Sequence, residues 1–325
     1  MNRRILITGG FGFLGGRLAQ LLASQSAYEI LLGTRQQDEP PHWLPQAQVV
    51  RTQWDSPVSL QNICSDVDAV LHMAGMNAQD CAGDPVAALE FNGVATARLL
   101  QAAIRQRVKR FVYLSTAHVY SSSLIGVVTE ETCPISLHPY ATSHRAGEDV
   151  VRTAHQHGDI EGVVIRLSNA FGAPVHKDAN CWMLLVNDLC RQAVMTRRMV
   201  LHSSGMQRRD FITLTDACRA IRHLLELPNN QLGDGLFNVG GSWSPTIWEM
   251  SLIFREYITT KLETDVQLSR LAGQELDTPW LDYRIDKLLG TGFKLNADHK
   301  GEMDLLLDFC ISLSKCTATH DLNLR

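Results

Sequence analysis

Long apolar runs are missing from this chain: nothing in its 325 residues approaches the roughly 20 consecutive apolar positions that a membrane-spanning helix needs. No membrane partner is expected. An excess of one charge is missing too. Thirty Lys and Arg are interspersed with 34 Asp and Glu, for a net charge of −4, which leaves no basic stripe for a phosphate backbone and no acidic tail. No nucleic-acid partner is expected. Met1-Asn2-Arg3-Arg4 runs straight into an apolar stretch, leaving no room for a signal sequence, so the expected compartment is the cytoplasm. Close cysteine pairs are absent as well. The eight cysteines (Cys64, Cys81, Cys133, Cys181, Cys190, Cys218, Cys310, Cys316) are scattered, unlike zinc knuckles or redox dithiols, and are expected to be buried free thiols. Twelve histidines are similarly dispersed, and no metal site is expected. The length permits one large domain or two smaller ones.

Glycine is where it counts. Thr8-Gly9-Gly10-Phe11-Gly12-Phe13-Leu14-Gly15 joins the apolar run Ile5-Leu6-Ile7 to the start of an amphipathic segment, which reads as strand, glycine turn and helix. Gly9, Gly12 and Gly15 at three-residue spacing permit a tight turn, close approach of a pyrophosphate to bare backbone, and close helix–strand packing. Amides at the helix start, including those of Phe13 and Leu14, then hold phosphates without a cationic side chain. A second apolar run, Tyr28 to Thr34, follows at βαβ distance. The stretch is expected to bind a dinucleotide.

A carboxylate is missing where it would choose the cofactor. The second strand ends Gly33-Thr34-Arg35, without the Asp or Glu that accepts hydrogen bonds from an NAD ribose. Arg35 suits a 2′-phosphate, so NADP is expected over NAD, the alternative being that Arg35 simply faces solvent. Pro40, Pro41 and Pro45 mark Gln36 to Gln48 as an irregular connection. A third strand over Val49 to Gln53 places Asp55 near an adenine amino group. A fourth, Val67 to Met73, runs into a small-residue turn where Ala74 approaches the ribose. Pro85 starts a long helix and Arg110 to Ser115 forms a fifth strand. Strands alternating with helices predict a doubly wound parallel α/β sheet of Rossmann type, with ligands beyond the carboxyl ends of its strands.

The fifth strand ends Leu114-Ser115-Thr116-Ala117-His118-Val119-Tyr120, and later segments read Pro139-Tyr140-Ala141-Thr142-Ser143-His144, Arg166-Leu167-Ser168-Asn169-Ala170-Phe171-Gly172, Arg209-Asp210-Phe211 and Phe237-Asn238-Val239-Gly240-Gly241, with Asn92 in the long helix. In that order the chain resembles the extended short-chain dehydrogenase/reductase family, especially its NAD-dependent nucleotide-sugar epimerases, dehydratases and ketoreductases. The resemblance implies that Tyr140 moves the proton of a sugar hydroxyl while hydride passes to or from nicotinamide, and that Thr116 aligns the same oxygen. It also implies that Asn92 lies at the cofactor. Ser115 is one residue out of register with the motif. The family lysine, four residues after the tyrosine, which holds the ribose and lowers the tyrosine pKa, is replaced by His144. Three readings stay open: His144 takes the lysine's part at catalysis and cofactor, acid–base work has moved elsewhere, or the chain is a weakened or inactive nucleotide-binding module. The Asp-Glu pair of the family's 4,6-dehydratases is replaced by Ala117-His118, which favours an epimerase or 4-ketosugar reductase over a dehydratase. His118 is either a second acid/base or a histidine packed under its loop.

The resemblance further implies a Rossmann domain over residues 1–172, to which strands return from about 206–240, interleaved with a substrate lobe drawn mainly from 173–325. Asn169 and Asn180 are expected at the sugar or phosphates of a nucleotide-sugar substrate, and Arg209 at its diphosphate, which a guanidinium's fixed donors fit. Trp182, Trp243, Trp248 and Trp280 are expected in the lobe's core. Tyr257 and Lys261 repeat the tyrosine–lysine spacing and read as a chance match on a surface helix. The helices at 85–107 and 140–157 correspond to those that pair in dimers of the family, so a homodimer is expected.

Overall fold

The computed structural model describes residues 2–35, 39–271 and 279–322, the last seven of these for their backbone alone. Seven parallel strands form the central sheet: β1 (Arg3–Thr8), β2 (Tyr28–Thr34), β3 (Gln48–Arg51), β4 (Ala69–His72), β5 (Arg110–Thr116), β6 (Glu161–Leu167) and β7 (Leu236–Val239). Their order is β7-β6-β5-β4-β1-β2-β3. The order reverses beside β1 and β4, and the crevice beyond their carboxyl ends is where such sheets bind ligands. This is the Rossmann-type architecture expected from the alternation of strands and helices.

Both faces of the sheet are covered, which is why its strands read as continuous apolar runs. Ile5 and Ile7 pack on one face against Leu14, Leu18 and Leu22 of helix α1 (Phe13–Ala23) and against the helix Leu214–Glu226. Leu6 faces the opposite way, toward the helices Pro57–Ile63 and Thr96–Arg105. A third apolar core lies among the helices Leu185–Thr196, Ile247–Leu262 and His299–Leu322.

The long helix begun by Pro85 differs from expectation. It runs Pro85–Ala88, then a π-helical segment Leu89–Ala95, then Thr96–Arg105. Local side chains explain the wide turn: the Thr96 hydroxyl donates to the Asn92 carbonyl at 2.7 Å, and the Asn92 side chain holds the Met76 amide at 2.8 Å. Such widened turns are frequent at functional sites.

Two other expectations are corrected, and one further pair of residues finds a partner. Trp280 is 60% exposed rather than part of a core, whereas Trp243 stacks on His299 and Trp182 on Phe309. Cys133 is exposed, while the other described cysteines are buried, and all seven are free; the side chain of Cys316 lies outside the described residues. Tyr257 and Lys261 both meet Asp304 on the His299–Leu322 helix, so they clasp two helices together. Among the described residues no helix is long and apolar enough to cross a membrane, and no group of three or more His, Cys, Asp or Glu converges as metal ligands would.

Candidate active site

The glycine turn fits a phosphate-bearing ligand. Gly9 has φ +70°, open to glycine at little strain, and a Cβ there would lie 2.7 Å from the Ala74 amide nitrogen. At Gly15 a Cβ would lie 2.2 Å from the Gly9 carbonyl oxygen, so glycine alone lets α1 approach β1 this closely. The helix begins at Gly12 with no side chain capping it. Its first-turn N–H groups, those of Phe13 and Leu14 among them, need partners that a phosphate supplies.

Beside this turn, the helix Pro139–His157 lies close to the π segment. Asn92 is fully buried and joins three pieces: it holds Met76 of the loop after β4, donates to Ser143 Oγ at 3.0 Å, and touches Cys81 Sγ at 3.6 Å. His144, one turn beyond Tyr140, is also buried, with its ring edge-on to the Tyr140 ring at 4.6 Å. Burial without an anionic partner lowers the His144 pKa to about 4. Its surroundings do not solvate a cation, so burial favours the neutral ring.

On the other side of Tyr140 stand Thr116 and His118. Period-two alternation along β5 sends the Thr116 hydroxyl to the Tyr140 side chain and Ser115 the opposite way, where its hydroxyl donates to Glu148 at 2.5 Å. Burial raises the Tyr140 pKa, and the Thr116 hydrogen bond opposes the rise. His118 lies 6.5 Å from the Tyr140 ring, edge to face. Its pKa falls to about 4, first through burial and then through the positive charge of Arg209 and through His138. Arg209 is an unpaired cation: its guanidinium meets no carboxylate among the described residues, its Nε has no hydrogen-bond partner, and burial lowers its pKa. Its neighbour Arg208 is bound to Glu249 and the Ser244 carbonyl.

Four further expected site residues are exposed or already engaged. Asp55 is an exposed carboxylate paired with Arg98. Asn180 is exposed. The Asn169 side-chain amide donates to the Asp210 carbonyl at 2.9 Å, beside the short parallel pair Asn169–Phe171 and Phe211–Thr213, so one of its two N–H groups is already engaged. Arg35 lies over the Phe91 ring at 5.5 Å. Sequence reasoning missed Tyr113, whose hydroxyl is 3.0 Å from His144 Nδ1. A tyrosine inside the apolar run Phe111-Val112-Tyr113-Leu114 reads as core, and nothing local marks its hydroxyl as functional.

A model of the NAD dependent epimerase/dehydratase family matches residues 5–240. The chain belongs to that family. Among curated epimerase/dehydratase relatives, the dTDP-glucose 4,6-dehydratase of Streptomyces niveus is 27% identical over 261 residues, 76% of this chain and 75% of that protein. Among solved structures of the same fold, the UDP-glucuronic acid 4-epimerase of Bacillus cereus, in complex with UDP-glucuronic acid and NAD, superposes with a TM-score of 0.80 at 22% identity. The match covers 95% of this chain and 99% of that one. RMD from Pseudomonas aeruginosa, complexed with NADPH, gives 0.78 at 21% identity over 96% and 98%.

Proposed function

We propose that this member of the family reduces a keto group on a nucleotide-activated sugar, the 4-ketosugar reductase reading. The observation that carries it is the buried His144 ring set edge-on to Tyr140 at 4.6 Å, one helical turn away, beside a tyrosine whose burial favours the phenol. The resting tyrosine is a phenol. A phenol beside a carbonyl oxygen is a proton donor, which reduction requires, whereas oxidation of a hydroxyl requires the phenolate.

A nicotinamide dinucleotide would supply the hydride. The bare turn at Gly9, Gly12 and Gly15 would hold its pyrophosphate against the amides of Phe13 and Leu14, with Ala74, Asn92 and His144 lining the next part of the cleft. Arg35 supports NADP over NAD, in keeping with the absence of a carboxylate at the end of β2. Thr116 would align the substrate oxygen under Tyr140, and Arg209, with no counter-ion among the described residues, would receive the substrate diphosphate. His118, neutral and beside both, would contact the sugar and relay a proton. Asn169 keeps its oxygen and its second N–H for the substrate, and the third apolar core would support the substrate lobe. Val86, Leu89 and Val94, all exposed on the long helix, support the proposed homodimer.

A second reading, a C4 epimerase that recycles its dinucleotide in place, is supported by family membership and by the epimerase among the structural neighbours. Native mass spectrometry of the purified protein, followed by turnover assays, separates the two and gives the oligomeric state. A reductase would bind reduced dinucleotide reversibly and consume it with a nucleotide 4-ketosugar, and Tyr140→Phe would lose roughly a hundredfold or more in kcat. An epimerase would retain its dinucleotide and interconvert sugars with none added. Binding of neither dinucleotide would overturn both readings and leave a non-catalytic module.

A further inference from the structure

A lysine at position 144, as the family resemblance implies, would carry its own charge on a flexible stem, but the imidazole present there cannot act alone. A buried neutral imidazole has two distinct nitrogens, one donor and one acceptor, and the partner of one decides what the other offers. The partner is visible. Tyr113 on β5 is fully buried, and its hydroxyl lies 3.0 Å from His144 Nδ1. The hydroxyl reaches that point only because position 147 is glycine: a Cβ there would fall 2.4 Å from the Tyr113 oxygen and 2.8 Å from the Asn92 carbonyl.

Direction follows from the neighbours. The Tyr113 hydroxyl has one proton, and its possible acceptors are His144 Nδ1 at 3.0 Å, the Asn92 carbonyl at 3.3 Å and the His144 carbonyl at 3.4 Å. The Asn92 carbonyl already receives the Thr96 hydroxyl at 2.7 Å. The nitrogen is the nearest acceptor, and donation from Tyr113 to Nδ1 would put the ring proton on Nε2, the tautomer the network favours. The Cε1–Nε2 edge of the ring faces the loop after β4: a Cβ at Gly75 would lie 3.3 Å from Cε1 and 3.5 Å from Nε2. That loop borders the crevice at the sheet's switch point.

We propose that Tyr113 is a positioning residue that fixes His144 as the Nε2–H tautomer, so that the pair together presents to the dinucleotide ribose the single N–H donor that a lysine would present by itself. The inference rests on the dinucleotide-binding part of the proposed function. It extends that reading by assigning the donor's orientation to a residue that touches neither cofactor nor substrate.

The experiment is a double-mutant cycle of Tyr113→Phe and His144→Lys in the full chain, reading the dissociation constant for reduced dinucleotide by fluorescence. Phenylalanine keeps the packing and removes only the hydroxyl. Tyr113→Phe alone should weaken binding about fivefold, the worth of one neutral hydrogen bond, and in the His144→Lys background it should change binding by less than about twofold. Equal losses in both backgrounds would make Tyr113 merely structural and sink the proposal. An unchanged constant in the wild-type background would do the same while leaving dinucleotide binding intact, whereas a wild-type chain that binds neither dinucleotide would remove the underlying reading as well. Should His144→Lys not fold, long-range proton–nitrogen spectra of 15N-histidine-labelled protein decide: one Nε2–H tautomer for His144, becoming mixed in Tyr113→Phe, supports the pair, and an Nδ1–H tautomer overturns it.

Discussion

A neutral imidazole delivers one N–H donor where an ammonium delivers three, and it brings no charge to a neighbouring tyrosine. On the proposed reading, Tyr140 would ionise without a fixed cation, in surroundings that raise its pKa through burial, with only the Thr116 hydrogen bond opposing. Below such a pKa the phenolate fraction grows about tenfold for each pH unit. Reduction, which uses the phenol, should then be nearly flat between about pH 6 and 8. The reverse oxidation should rise through the same range with a slope near one on a logarithmic plot. Initial rates measured in both directions over that range check this, and an oxidation rate with a plateau near neutrality would mean that some other group had lowered the Tyr140 pKa. In His144→Lys the oxidation profile should move toward lower pH, because the ammonium favours the phenolate.

The helix Pro139–His157 and strand β5 meet through small side chains, and the meeting sets how much room the site has. Gly147→Ala places a methyl group 2.4 Å from the Tyr113 oxygen. The gain of about 1 kcal/mol expected for Ala over Gly inside a helix is outweighed by about 1–3 kcal/mol of overpacking, so urea midpoints should fall. Gly83→Ala is the control: nothing lies within 4 Å of a Cβ there, and stability should hold or rise by a few tenths of a kcal/mol. Much of this element-level order was legible in the sequence. Alternating strands and helices, the glycine turn and the tyrosine one turn before His144 are local patterns, with periods of two and 3.6 that survive without knowledge of the partner. What was not legible depends on what meets across the fold. The π turn at Asn92 follows from Thr96 and Met76, the neutral state of His144 from burial, and the role of Tyr113 from a glycine 34 positions away in the chain.

Across the whole molecule, removal from water also holds histidines in their neutral form, with His72 and His144 both buried. His72, held between the Thr8 and Thr96 hydroxyls at 2.6 and 2.9 Å, is lowered to about 3, and His118 and His144 to about 4, in each case chiefly by burial. An unfolded histidine titrates near 6.5. Below that value the unfolded chain binds protons that the folded chain refuses, so the stability these residues contribute is present above about pH 6.5 and is lost as pH falls toward their folded values. Asp210 works in the opposite sense. Burial raises it to about 7 despite the amides of Gly241 and Trp243 on its oxygens at 2.8 and 3.1 Å, so below pH 7 the folded state holds a proton that the unfolded state releases until about pH 4. These three imidazoles, with the lowered His223 and His299, outnumber the one raised carboxyl and leave a net uptake of protons on unfolding between about pH 4.5 and 6. Urea midpoints should decrease steadily on acidification through that window, and His144→Gln should reduce the slope by about one proton while Asp210→Asn steepens it. Midpoints that stay level from pH 6.5 to 4.5 would mean that the three rings reach solvent before the chain unfolds, and that the layers over the sheet open as separate units rather than together.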